Sequence, residues 1–187
     1  MKRLFAALKI CPDPAFLTSF RKMKADLKHE QIKWVEEHNI HITLKFFGDT
    51  DERRIPEICT ILEQCARSSD VITLRLSGLG IFGSSYSPRV VWVGIEPYQS
   101  VVRLMDEIHS ALAGIGFERD RQNLVPHLTL GRIKFLRDKT IFRRIVDGNR
   151  NMASLSCPVG EIILYESILH REGPEYKALG RFPLNRY

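Results

Sequence analysis

The chain has 187 residues, enough for one medium domain or two small lobes sharing a core. Its 44% hydrophobic and 27% charged residues are the ordinary balance of a soluble globular protein, and no apolar run is long enough to span a membrane. The formal net charge of +6 favours an anionic partner, but there is no Lys/Arg block of the kind that forms a disordered nucleic-acid arm.

Met1-Lys2-Arg3 is basic, but Leu4 to Ile10 is too short and interrupted for a signal peptide, so a cytoplasmic location is expected. Arg3 to Ile10 itself predicts a buried strand, ended by the turn Cys11-Pro12-Asp13-Pro14. From Ala15 to His29, Phe16, Phe20, Met23 and Leu27 recur at helical spacing under a Lys/Arg face. Ile32 to Val35 is a brief extended piece. Asn39 to Gly48 then alternates apolar and polar residues, which predicts a strand with one face open. His41 and Thr43 share a face, with Ile42 and Leu44 on the other. Asp51 to Arg67 is a second helix with Ile55, Ile58, Ile61, Leu62 and Cys65 inside, and Val71 to Leu79 is a strand.

Gly80 to Pro88 is rich in Gly and Ser and predicts a loop. Val90 to Ile95 predicts a buried strand, and Val101 to Leu112 a helix closed by Gly114. After a polar stretch, Glu118 to Asn123, a strand starts at His127 and continues towards Phe135. Lys139 to Val146 is a short basic helix; Ala153 to Leu155 and Val159 to Leu169 are strands, and Tyr176 to Leu184 is extended. The cysteines Cys11, Cys59, Cys65 and Cys157 form no Cys-x-x-Cys, so reduced, mostly buried thiols are expected.

The pattern His41-Ile42-Thr43-Leu44 returns as His127-Leu128-Thr129-Leu130, 127 − 41 = 86 residues later. The same offset carries Arg3–Ile10 onto Arg89–Glu96, and the element order around each motif matches. The sequence therefore predicts an α+β fold in one bilobal domain over 1–187, built as a pseudo-two-fold duplication of about 3–79 and 89–169 with the tail packing back. Two antiparallel-rich sheets would face a central cleft, with helices on the outer faces and one His-Thr pair on each wall.

These residues resemble the 2H phosphoesterases. More closely, the chain is similar to the bacterial and archaeal RNA 2′,3′-cyclic phosphodiesterases, historically named 2′-5′ RNA ligases. The likeness runs nearly end to end, through "RLFAAL", "HITLKFFG", "GLGIF", "RVVWVG", "PHLTLGR", "LYES" and "GPEYKALGRFPL". The resemblance implies both His-x-Thr motifs in a central cleft and metal-independent chemistry on a phosphodiester. Its substrate would be an RNA end or oligonucleotide carrying a 2′,3′-cyclic phosphate. It also implies that Arg132 meets the phosphate or nucleotide, although strict alternation from His127 turns Arg132 to the other face unless a bulge intervenes.

The chemistry explains the pair. Opening a cyclic phosphate takes a base for water and an acid for the departing ribose oxygen on the opposite side of phosphorus. An imidazole with an unperturbed pKa of ~6.5 suits either task. His41 and His127 are thus the candidate catalytic residues, with Thr43 and Thr129 as hydroxyl donors to non-bridging oxygens. Reversible 2′-5′ joining of RNA ends, hydrolysis of a small cyclic nucleotide, and a nucleotide- or RNA-binding module without turnover are the alternatives.

Other signals have plainer readings. Lys45 continues the His41 face but also suits a solvated strand. Gly78-Leu79-Gly80-Ile81-Phe82-Gly83 has the letters of a dinucleotide fingerprint without the helix that must follow it. His29, His38, His109 and His170 lack a Thr partner and metal-ligand spacing, so no metal or cofactor is expected. Trp92, Phe46, Phe47 and Phe82 suit core packing by default; the alternatives are a base-stacking platform at Trp92 and apolar contact for a base at the cleft edge from the three phenylalanines. A monomer is expected.

Overall fold

The computed structural model describes residues 1–84, 86–119, 125–171 and 173–185, the side chain of Leu155 excepted. Among them the chain forms nine strands and four α-helices. In order they are β1 (Lys2–Lys9), α1 (Pro14–Asp26), β2 (Gln31–Trp34), β3 (His41–Thr50), α2 (Ile55–Arg67), β4 (Ile72–Gly83), β5 (Pro88–Glu96), α3 (Tyr98–Ala113), β6 (Leu128–Phe135), α4 (Lys139–Gly148), β7 (Ala153–Val159), β8 (Glu161–Leu169) and β9 (Pro174–Pro183). The helices start where the sequence supplies caps. Asp13 accepts from the Phe16 amide ahead of α1, with Pro14 in the first turn, and Asp138 accepts from Thr140 and Ile141 ahead of α4. The polar stretch before the second motif falls partly on 120–124, outside the described residues.

Two antiparallel sheets result, ordered β3-β1-β8-β9 and β2-β6-β5-β4-β7. The α+β architecture with two antiparallel sheets is as expected, and strands cross between the halves of the chain. β4, from the first half, pairs with β5, and β8, from the second, pairs with β1. The orders β3-β1-β8 and β6-β5-β4 correspond strand for strand, with the third strands exchanged between the halves. The cause is local. β4 ends at Gly83 and β5 starts at Pro88, and antiparallel strands so close in sequence pair with each other. The same exchange explains why Gly80 to Gly83 extends β4 rather than forming a loop. A Cβ on Gly80 would sit 2.3 Å from Cζ2 of Trp92, so this glycine makes room for a ring.

Alternation along β1 divides the interior. Leu4, Ala6 and Leu8 join the main core with Phe16, Phe20, Ile58, Leu62, Ile108 and Leu112 from the helices. Phe5 and Ala7 face the other way, into a smaller cluster with Ile163, Tyr165 and Tyr176. β3 and β6 approach each other across the sheets. No helix among the described residues is long and apolar enough to cross a membrane. Cys65 and Cys157 are buried, Cys59 is half-buried and Cys11 is exposed, all as free thiols.

Each motif strand carries a bulge at the same place. On β3, Ala7 pairs with Thr43 and Ala6 with Lys45, leaving Leu44 extra. On β6, Trp92 pairs with Thr129 and Val91 with Gly131, leaving Leu130 extra. A bulge sends two successive residues to one face and then restarts the alternation. Leu44 and Lys45 are both buried, as are Leu130 and Gly131. Lys45 therefore leaves the His41 face; it is 4% exposed and its Nζ donates to the Glu118 carbonyl at 2.7 Å. The pairings also place Ala7 opposite Thr43 as Trp92 is opposite Thr129. The opening strands thus match at an offset of 92 − 7 = 85, not 86.

A bulge also frees a carbonyl from the ladder. On β6, an inner strand, the Leu130 carbonyl accepts from Val35 just beyond β2, at 2.8 Å. β3 is an edge strand and has no such neighbour. There His109, 2% exposed on α3, brings Nε2 within 3.0 Å of the Leu44 carbonyl. Removing one partner of a buried bond costs about 1–3 kcal/mol. His109→Leu should lower the urea midpoint accordingly with an unchanged m-value, read by equilibrium unfolding. An unaltered midpoint would show that the bulge does not need the imidazole.

Candidate active site

The two bulges decide what the cleft contains. Thr43 follows His41 on the outward face of β3, and Thr129 follows His127 at the start of β6. Beyond each bulge the next outward residue is Phe46 on β3 and Arg132 on β6. Arg132 thus shares the face of His127 and Thr129, which uninterrupted alternation would have denied it. Its charge acts on His41, His127 and Tyr176 alike, so it lies within electrostatic reach of both walls.

The imidazoles are held identically. Nδ1 of His41 donates to the Asn39 carbonyl at 2.6 Å, and Nδ1 of His127 to the Val125 carbonyl at 2.8 Å. A carbonyl can only accept, so Nδ1 carries a proton in each ring and Nε2 is left for the cleft. Each ring also stands edge-on to an aromatic. His41 meets Tyr176 at 5.4 Å and 88°, with Phe5 at 5.1 Å; His127 meets Phe82 at 4.7 Å and 88°, with Trp92 at 6.4 Å.

This environment lowers both basicities. Burial pushes His41 below the ordinary imidazole range, against the Asn39 bond, and the positive charges of Arg132 and His127 push the same way. Burial does the same to His127, again with Arg132 adding to it. Both rings are therefore mainly neutral at pH 7 in the free protein, and an entering anion would raise them. Neither threonine hydroxyl has a hydrogen-bond partner among the described residues, so both can donate to such an anion.

The structure brings His41, Thr43, His127, Thr129 and Arg132 to one region. It also places there aromatic residues for which core packing was the default expectation. Trp92 and Phe82 are cleft walls, not core: they stack at 5.0 Å beside His127, and the Trp92 Nε1 is buried without an acceptor among the described residues. Phe46 is 45% exposed on the cleft side beneath the Arg3 guanidinium. Phe47 does pack inward, against Phe117. Tyr176 and Arg3 were missed as site residues. Burial raises the Tyr176 phenol, while Arg132 and Arg3 oppose that shift. The glycine-rich stretch is strand, with no phosphate-binding helix behind it. His170 pairs with Glu175 at 3.1 Å, and no group of three metal-ligating side chains occurs among the described residues.

The model of the 2′-5′ RNA ligase superfamily matches residues 12–170. The chain is 32% identical over 177 residues to the RNA 2′,3′-cyclic phosphodiesterase of Methanocaldococcus jannaschii, covering 95% of this chain and 98% of that one. It is 38% identical over 149 residues to the protein of the same name from Aeropyrum pernix, covering 79% and 84%. Among solved structures, one from Thermus thermophilus superposes with a TM-score of 0.77 at 24% identity, covering 97% of each chain. Escherichia coli LigT complexed with 3′-AMP superposes with a TM-score of 0.72 at 25% identity, covering 98% of each chain.

The electrostatic environment has a direct spectroscopic consequence. In NMR titrations His41 and His127 should both titrate below 6.5, and Arg132→Gln should move both upward by removing a common repulsion. An unchanged titration for both rings would place Arg132 outside the cleft.

Proposed function

The chain belongs to the 2′-5′ RNA ligase superfamily, and from that premise we propose that it hydrolyses the 2′,3′-cyclic phosphate at an RNA end to a 2′-phosphomonoester. The observation that carries this reading is the matched pair of imidazoles, each tied through Nδ1 and each offering Nε2 to the cleft beside Arg132.

Water loses a proton to Nε2 of His127, and its oxygen forms a bond to phosphorus. The P–O3′ bond breaks on the opposite side, and Nε2–H of His41 delivers a proton to O3′. The products are a 2′-phosphate and a free 3′-hydroxyl. Which histidine is acid follows the family resemblance. Thr43 and Thr129 donate to the non-bridging oxygens, and Arg132 neutralises the charge that grows on them. The anionic phosphate offsets the repulsion among Arg132, His41 and His127, so substrate binding itself favours the protonated acid. The donor set suits this better than it suits a metal: two imidazoles, two hydroxyls and a guanidinium repel a cation more than they hold one.

The rate as a function of pH should be bell-shaped. For kcat/KM, which reports the free enzyme, the optimum should lie below 6.5, because both imidazoles are lowered there. For kcat it should move upward, because bound phosphate raises the acid. His41→Ala and His127→Ala should each cost at least ~10²-fold. Turnover should persist in excess chelator. Near-normal rates in either variant, or loss of activity with chelator, would overturn the mechanism. A module that binds RNA without turnover would give no profile at all.

A further inference from the structure

A concentration of positive charge outside the cleft lies on α4 and the turn that follows it. Lys139, Arg143, Arg144 and Arg150 are all exposed. A groove of about 490 Å³ is lined by Tyr86, Lys139, Arg143 and Arg144 with Thr140 and Asp147. The acids of this stretch offset only part of that charge. Asp138 accepts from the first amides of α4, and Asp147 pairs with Arg150 at 2.9 Å. Tyr86 is 82% exposed; Lys139 Nζ lies 4.4 Å from the centre of its ring and donates to its carbonyl at 2.9 Å.

The helix at the corresponding place in the first half is α2, and it differs in both respects. α2 buries Ile58, Ile61, Leu62, Cys65 and Ala66 and sets Glu57 and Glu63 against Arg67, so its sequence carries a net negative charge. α4 buries only Phe142 and Val146. A helix face kept merely for solubility carries both signs interspersed; α4 carries mainly one. The groove also continues the site. Phe82 stands against the His127 ring, and the next residues, Gly83 and Ser84, line the adjoining hollow with Arg143 and Arg150. At about 3.3 Å per strand residue the separation along the chain is about 3–7 Å.

We infer that this groove binds the phosphodiester backbone of a single-stranded RNA, 5′ to the cyclic phosphate held in the cleft. The inference rests on the proposed function for the identity of the ligand. Arg143 and Arg144 supply the phosphate contacts, and the open face of Tyr86 supplies a platform for a base.

The test compares two substrates and one ligand. Arg143→Glu/Arg144→Glu and the milder Arg144→Gln are assayed on a mononucleoside 2′,3′-cyclic phosphate and on a short RNA ending in the same group. Binding of the same RNA with an ordinary 3′-hydroxyl is followed separately by fluorescence anisotropy. The double variant should raise KM for the RNA by roughly tenfold, leave the mononucleotide unchanged, and weaken the anisotropy binding at low salt. The slope of log Kd against log salt should fall by about 0.7 for each phosphate contact removed. Equal losses on both substrates, or unchanged RNA binding and KM, would overturn the inference. If the wild-type protein turned over neither substrate, the proposed function would fail, and the anisotropy measurement would still decide whether the groove binds RNA.

Discussion

The site depends on two β-bulges, one at Leu44 and one at Leu130. A strand's side chains alternate strictly, so a single extra residue reverses the face of everything after it. Without the bulge on β6, Arg132 would point into the core, away from both imidazoles. Without the bulge on β3, Lys45 would point outward and Phe46 inward. The bulges also make demands. Each frees a carbonyl, met by Val35 on the inner strand and by His109 on the edge strand. Each sends two successive residues inward, met by Gly131 where β2 crowds the strand and by Lys45, whose Nζ reaches the Glu118 carbonyl beyond α3. A Cβ on Gly131 would stand 2.7 Å from the Trp34 ring.

On that frame the duplication supplies two nearly equal imidazoles in different surroundings. Phe5 and Tyr176 wall one, while Phe82 and Trp92 wall the other. Burial and the shared cation depress both, which keeps them neutral until an anion arrives. A symmetric pair alone cannot distinguish acid from base; the asymmetry lies in the walls and in the single Arg132 set against Phe46. The exchange of β4 and β8 between sheets ties the two halves of the chain together.

Much of this was legible in the sequence because its signals were local and repeated. The alternation through His41 and Thr43, its return at His127 and Thr129, and the helical stripes of Phe16–Leu27 and Val101–Leu112 identified elements, faces and the pair. What was not legible depended on pairing. A bulge is a property of two strands, so neither the burial of Lys45 nor the outward turn of Arg132 could be read from one. Gly80 read as loop because glycine marks turns, whereas here it makes way for Trp92, a residue twelve positions on. Trp92 read as core because its strand is apolar throughout, and only the register with Thr129 puts it on the cleft side. Tyr176 lies in a tail whose extended character was clear but whose partner strand was not.

The central claim is that the two imidazoles act on opposite sides of one phosphorus, with His41 serving O3′. Hydrolysis of an RNA 2′,3′-cyclic phosphate in ¹⁸O-labelled water, followed by phosphorus NMR against both authentic monophosphates, tests it most directly. The expected product is a 2′-phosphate carrying one labelled oxygen on phosphorus, formed by the wild-type protein and abolished in His41→Ala. A product that is solely the 3′-phosphate would contradict it, because the acid would then stand at O2′ and the roles of His41 and His127 would be exchanged.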